Sequence, residues 1–217
     1  MENDPTAELR RRHLRITEPS PWVRRFAPLV KSGESVLDIA SGGGRHARHF
    51  LKCGHPVTAI DQNDEPLEWL CDETKATVIQ ADMETGPSVF AEGGPLAGLT
   101  FGGIVVVNYL YRDMFEDLLN ALKPGGVLIY ETFARGNEEF ARPRNPDHLL
   151  KSGELLDLVQ GRLQVVAYEH GVTQSAEIPG VKQRLTAVND LTLISREDGD
   201  PSAHPIDNMP GHSIDRP

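Results

Sequence analysis

The chain has 217 residues, a formal net charge of −10, 39% hydrophobic and 25% charged residues, which is the composition of one ordinary globular domain with a sizeable core. The acidity argues against a broad nucleic-acid surface, which needs clustered Lys and Arg. No apolar run approaches the ~18–20 residues that span a bilayer, and Cys53 and Cys71 are too few for a disulfide framework. Both read as packing residues or incidental thiols. The acidic opening, Met1 to Pro5, lacks the apolar core of a secretory signal, so a cytoplasmic location is expected.

Taken in chain order, the first feature is basic. Arg10, Arg11, Arg12, His13 and Arg15, continued by Arg24 and Arg25, form either a solvated helix face or a grip for an anionic substrate. Trp22, Val23, Phe26, Leu29 and Val30 then give an apolar stripe at helical spacing, behind Ser20 as N-cap and Pro21 as first helical residue. Ser35 to Ile39 reads as a buried strand, followed by Gly42-Gly43-Gly44 and a helix from Arg45 to Cys53 that Gly54 stops. Val57 to Asp61 is a second strand, Leu67, Trp69 and Leu70 lie on a helix, and Thr77 to Ala81 is a third strand ending at Asp82. Gly93 to Gly98 marks a loop before the strand Gly103 to Val107. A helix near Phe115 to Leu122 ends at Lys123-Pro124-Gly125-Gly126, and Val127 to Thr132 is strand five.

Alternating strands and helices at this spacing predict a parallel sheet with helices on both faces. Beyond it, Ala134 to Pro146 is expected as a loop or broken helix, and Glu154 to Val159 as a helix behind Ser152. Leu163 to Tyr168 and Arg184 to Ile194 read as closing strands joined by a loop with Gly171, Pro179 and Gly180. Residues 1–195 are expected to form one domain, with 1–33 as an N-terminal helical cap, and 196–217 a disordered or loosely draped tail rich in proline.

The chemistry concentrates where the first strand turns into a helix. Small residues there let a ligand approach the backbone closely, and Gly42 to Ala47 satisfies G-x-G-x-x-A, a fingerprint that is weak alone. Asp38 discriminates among ligands, because a carboxylate at this turn repels a pyrophosphate and favours a ligand bringing positive charge. Asp61 closes the second strand, where an acid can accept both hydroxyls of a ribose. Asp82 ends the third, where a carboxylate can take an adenine amino group while Met83 lies against the ring. Three acids at the ends of consecutive parallel strands agree on one crevice.

These residues resemble the class I S-adenosylmethionine (SAM)-dependent methyltransferases, and within them small bacterial enzymes of the tellurite-resistance type. Asp38 to Gly44 resembles the family's first motif, D/E-x-G-x-G-x-G, with Ala40 in place of the first glycine. Asp61 resembles the acid after it, Ala81-Asp82-Met83 the adenine-side motif, and Phe101 to Leu110 the fourth motif, with Gly103 in place of a common aspartate. Leu122 to Gly126 resembles the turn before strand five. The resemblance implies a Rossmann-like three-layer sandwich with seven strands, mostly parallel, the last antiparallel. It implies SAM as cofactor, held by Asp38, Ala40, Ser41, Gly42 and Gly44 at its methionine part, by Asp61 and Gln62 at the ribose, and by Asp82 and Met83 at the adenine. Asn108 would border the transferred methyl group.

No decisive general base stands out. Asn108, Tyr109, Tyr111 and Glu131 are the catalytic candidates, and Trp22, Arg112, Arg142 and Arg144 the acceptor-binding ones. Tyr109 and Tyr111 are either aromatics packing on the next helix or pocket walls. His46 and His49 lie three apart on one helix, but without a third ligand no metal site is expected. The expected function is methyl transfer to a small molecule, such as a thiol, a chalcogen oxyanion or another anionic compound. The protein would be a monomer or homodimer, with no nucleic-acid or membrane partner. The rival readings are a non-catalytic SAM-binding protein and a nicotinamide-dependent oxidoreductase.

Overall fold

A computed structural model describes residues 16–174, 179–193 and 198–206. Seven strands form one sheet in the order β3-β2-β1-β4-β5-β7-β6. They are β1 (Val36–Ile39), β2 (Val57–Asp61), β3 (Ala76–Gln80), β4 (Phe101–Val107), β5 (Leu122–Phe133), β6 (Gln164–Thr173) and β7 (Gly180–Val188). β7 alone runs against its neighbours, antiparallel to both β5 and β6. Four α-helices lie among the described residues: α1 (Pro21–Phe26), α2 (Arg45–Lys52), α3 (Phe115–Asn120) and α4 (Glu154–Val159). The architecture is the Rossmann-like sandwich that the motifs imply.

Strand alternation sorts the side chains onto two cores. On one face Val36, Val57, Ala59, Val105 and Ile129 pack under α1 and α2, against Phe26, Ala47 and Phe50. On the other, Leu37, Ile39, Ile104, Val106 and Leu128 meet Leu118, Leu119, Leu155 and Val159 from α3 and α4. Every residue of β1 and β4 is buried, as expected of central strands covered on both sides. Asp38 shares its face with Val36 and so points toward α2. Gly103 is required by packing: a Cβ there would lie 2.9 Å from Val30 Cγ2, so the aspartate common in the family has no room here.

α1 forms as its sequence suggests. Ser20 Oγ accepts from the Trp22 amide at 3.2 Å, Pro21 opens the helix, and it tightens into a 3-10 turn over Ala27–Leu29. Other expectations need correction. The segment with Leu67 and Trp69 is a 3-10 helix, Glu65–Leu70, which Pro66 starts. β5 begins at Leu122, not Val127, because the Lys123–Gly126 stretch stays in the sheet as an irregularity. There Asn189 binds the Leu122 and Lys123 carbonyls, and the Gly125 amide donates to the Asn189 carbonyl at 2.6 Å. The closing strands also start and stop elsewhere. Gly171 and Gly180 are in register within β6 and β7, and β7 ends at Val188, with Ile194 outside the described residues.

Of the expected tail, residues 198–206 touch the body: Arg25 donates to the Ile206 carbonyl at 3.3 Å, and His204 Nε2 lies 2.6 Å from Asp190 Oδ2. Cys53 and Cys71 are both exposed, so neither packs in the core.

Candidate active site

The chain leaves β1 to build β2 and β3 on one side, then crosses over to build β4 on the other. That reversal opens a crevice at the carboxyl ends of β1 and β4, where open α/β sheets bind ligands. Two adjoining cavities of about 260 and 290 Å³ occupy it. The first is walled by Ile16, Ala40 to Gly43, Arg45, His46 and Asn108; the second by Asp82 to Thr85 and Tyr109; Ala40, Asp61 and Gln62 belong to both. At this crevice lie the positive-φ residues other than glycine among the described residues, Ala40 (φ 51°) and Asn108 (φ 59°). Each follows the end of one central strand, β1 or β4. Such conformations are disfavoured for side-chain-bearing residues, and when held in place they cluster at functional sites.

The glycine turn is held by its neighbours in the chain. The Gly42 amide donates to Asp61 Oδ2 at 2.8 Å, and Asp61 Oδ1 takes the Asn63 amide at 3.1 Å. Gly42 (φ 56°) has open space where a Cβ would be, so conformation requires glycine there. Gly44 is different: a Cβ would come within 2.9 Å of the Trp69 ring, and the residue does not wall either cavity. Its role in this structure is packing at the helix start, which corrects the expectation that it faces a ligand. Gly43, absent from the expected set, lines the cavity instead.

Asp38 is buried, and its Oδ2 accepts from the Ala47 amide at 3.0 Å in the first turn of α2. A carboxylate therefore already sits at the helix start, where a dinucleotide pyrophosphate would dock. Its Oδ1 has no hydrogen-bond partner among the described residues, and His46 Nδ1 lies 3.8 Å from it. Burial pushes the Asp38 carboxyl up to about 7 and the His46 imidazole well down. Asp38 does not itself wall the cavity; His46 does.

On the other cavity, Asp82 accepts from the Glu84 amide at 2.9 Å and the Thr85 hydroxyl at 2.8 Å, which hold it below the usual carboxylate range. Met83 and Tyr109 line the same cavity, and the buried Tyr109 hydroxyl lacks a partner of good geometry. Burial and the neighbouring Glu84 carboxylate push its pKa up.

The six remaining candidates are elsewhere. Trp22 is core: it is 3% exposed, packs on Phe26 and donates from Nε1 to the Leu185 carbonyl at 3.3 Å. Arg112 is a clamp on the 146–154 segment, its guanidinium held by Glu154 at 2.6 and 3.0 Å and by the Asp147 and Leu149 carbonyls. Tyr111 turns to Asp113, and Glu131 is buried behind the cavity. Arg142 and Arg144 are exposed and wall neither cavity. Of the basic opening, residues 10–15 lie outside the described residues.

A feature that the sequence reading missed lies behind Asn108. Glu131 Oε1 accepts from Lys182 Nζ at 2.6 Å, and Glu131 Oε2 accepts from Ser20 Oγ at 2.5 Å. Arg184 Nε approaches Oε2 at 3.5 Å. Lys182 also donates to Asn108 Oδ1 at 2.8 Å, while the Ser20 amide donates to His46 Nε2 at 3.3 Å. Burial raises the Glu131 carboxyl, but the Lys182 and Arg184 charges and hydrogen bonds outweigh it and hold it below its usual value. Burial lowers Lys182. Lys182 and Gln183 in a buried strand broke the hydrophobic pattern, so this stretch reads as loop; a basic residue in an otherwise apolar closing strand was the available signal.

A profile of a methyltransferase domain matches residues 10–177, most of the chain. The chain belongs to the methyltransferase domain family. A ubiquinone biosynthesis O-methyltransferase of Vibrio cholerae is 29% identical over 118 residues, which are 50% of this chain and 45% of that one. The methyltransferase domain thus spans about half the length of the curated relatives it matches. Among solved structures, TehB of Haemophilus influenzae superposes with a TM-score of 0.61 at 15% identity, over 79% of this chain and 62% of that one. The glycopeptide N-methyltransferase MtfA, complexed with SAM, gives 0.53 at 19% identity, over 80% and 95%. These superpositions show that the fold is shared.

Proposed function

We propose that this methyltransferase domain binds SAM in the crevice and methylates a small-molecule acceptor. The observation that carries the reading is the continuous crevice along the ends of β1 to β4, walled by the glycine turn, Asp61, Asp82 and Asn108. The residues fit the ligand. Asp61 has unused lone pairs for ribose hydroxyls beyond its two backbone bonds. The Tyr109 hydroxyl, beside Glu84, and the apolar Met83 sit where a polar-edged aromatic ring would lie. The carboxylate at the start of α2 disfavours the nicotinamide reading.

Bound SAM supplies an electrophilic methyl group on a sulfonium, so the leaving group needs no acid. The protein's own contribution is alignment and exclusion of water, which can supply ~7–11 kcal/mol of the barrier. Ala40 and Asn108, held in their unusual backbone conformations, set the two sides of the reaction space. That the V. cholerae relative is an O-methyltransferase supports oxygen among the acceptor atoms to be tried first.

The experiment is incubation with SAM and a panel of carboxylates, phenols, thiols, amines and chalcogen oxyanions, followed by mass spectrometry. Acceptor-dependent formation of S-adenosylhomocysteine with a methylated product supports the reading. SAM binding with no product from any class would favour a binding protein instead.

A further inference from the structure

Asn108 presents only one half of its carboxamide to the crevice. Its oxygen is taken at 2.8 Å by Lys182, whose side chain is 4% exposed, and its nitrogen has no hydrogen-bond partner among the described residues. Lys182 can only donate, so the amide oxygen must face it and the NH2 group must be the end that meets the cavity. Lys182 cannot swing away. Glu131 Oε1 holds it at 2.6 Å, and its ammonium lies 4.9 Å over the Phe133 ring. Glu131 is in turn fixed by Ser20 and approached by Arg184 at 3.5 Å. Arg184 is shared with Glu169 at 3.2 Å, so the positive charge that bears on Asn108 is the Lys182 ammonium in contact with it. In a buried setting such a charge polarises the amide and strengthens its N–H donors.

We propose that Lys182 is a positioning residue that locks Asn108 as a hydrogen-bond donor, making a seat for an acceptor whose reacting group arrives as an anion, a carboxylate or other oxyanion. This rests on the reading of the crevice as the methyl-donor site. The groups facing the seat are consistent with it. His46 already accepts the Ser20 amide through Nε2, and Glu131 has both oxygens engaged, so neither is placed to take a proton from a neutral acceptor. An anionic oxygen seated on the Asn108 NH2 keeps a lone pair for the methyl group. The bond formed is oxygen to carbon, the bond broken is sulfur to carbon, and no proton moves.

The probe pair is benzoate and benzamide, alike in shape and different in charge. Each is titrated into nitrogen-15-labelled protein saturated with S-adenosylhomocysteine, and the Asn108 side-chain NH2 signals, assigned by their loss in Asn108→Asp, are followed. Benzoate should shift those signals saturably and bind about tenfold or more tightly than benzamide. Lys182→Met should remove most of that preference, and Asn108→Asp should remove all of it. An equal response to both probes, or a preference that survives in a folded Lys182→Met protein, overturns the seat. If Lys182→Met does not fold, the wild-type preference and its loss in Asn108→Asp decide. Failure of S-adenosylhomocysteine to bind the wild-type protein would instead overturn the donor-site reading beneath it.

Discussion

The two halves of the crevice are built differently. On the β1–β3 side the bonds are local: Asp38 reaches an amide 9 residues on, Asp61 reaches 2 residues forward and 19 back, and Asp82 reaches 2 residues forward. On the β4–β7 side, Ser20 meets Glu131 across 111 residues, and Lys182 meets Asn108 and Glu131 across 74 and 51. The first half is a set of backbone turns capped by carboxylates. The second is a buried side-chain network that exists only once the sheet has closed. The first, its buried Asp38 excepted, should therefore tolerate substitution with loss of ligand affinity, and the second should respond in stability.

The largest effect is expected at Glu131. Glu131→Gln leaves Lys182 buried without its counter-charge and should destabilise the fold by ~3–5 kcal/mol in chemical denaturation. Glu131→Leu combined with Lys182→Met should recover part of that loss, because Lys182 is then no longer a buried charge without its counter-charge, while Ser20 and Asn108 each lose a partner. A single-variant effect near zero would erase the contrast between the halves.

Next in size is a pH effect at Asp38. Its folded carboxyl titrates at about 7, above the ordinary 3.8, so the native state holds the extra proton between those values. Stability due to this group is greatest below pH ~4 and falls as pH rises through about 7, by up to ~4 kcal/mol. Asp38→Asn does not titrate, so its stability relative to the wild type should improve steadily from pH 4 to 8 in urea melts. A constant difference would show that the carboxyl is not raised.

Asp61→Ala removes the acceptor for the Gly42 and Asn63 amides as well as the ribose partner, and should weaken S-adenosylhomocysteine binding about tenfold or more, with a smaller change in melting temperature. The smallest effect is at Ala40. Its φ of 51° suits glycine, so Ala40→Gly should stabilise or leave the protein unchanged, within ~1 kcal/mol by thermal unfolding.

The same contrast explains what the sequence could tell. The glycine turn, Asp61, Asp82 and Met83 were legible because turn chemistry and strand-end position are written in consecutive residues. β1, β2 and β4 were legible because central strands are mostly apolar, with the acids Asp38 and Asp61 at or near the ends of β1 and β2. Lys182 was not, since nothing local says that a lysine will be buried against Glu131. β6 was truncated in the reading because an edge strand with polar residues such as Glu169 and His170 has no sharp alternation. Trp22 and Arg112 were misassigned because an aromatic or an arginine near a site serves packing or loop clamping as well as ligands.

The most direct test of the central claim is isothermal calorimetry of the wild-type protein with S-adenosylhomocysteine, run in parallel with NADH. The account predicts saturable binding of S-adenosylhomocysteine in the micromolar range, and none for NADH. A folded protein that binds NADH, or that leaves S-adenosylhomocysteine unbound, would contradict it.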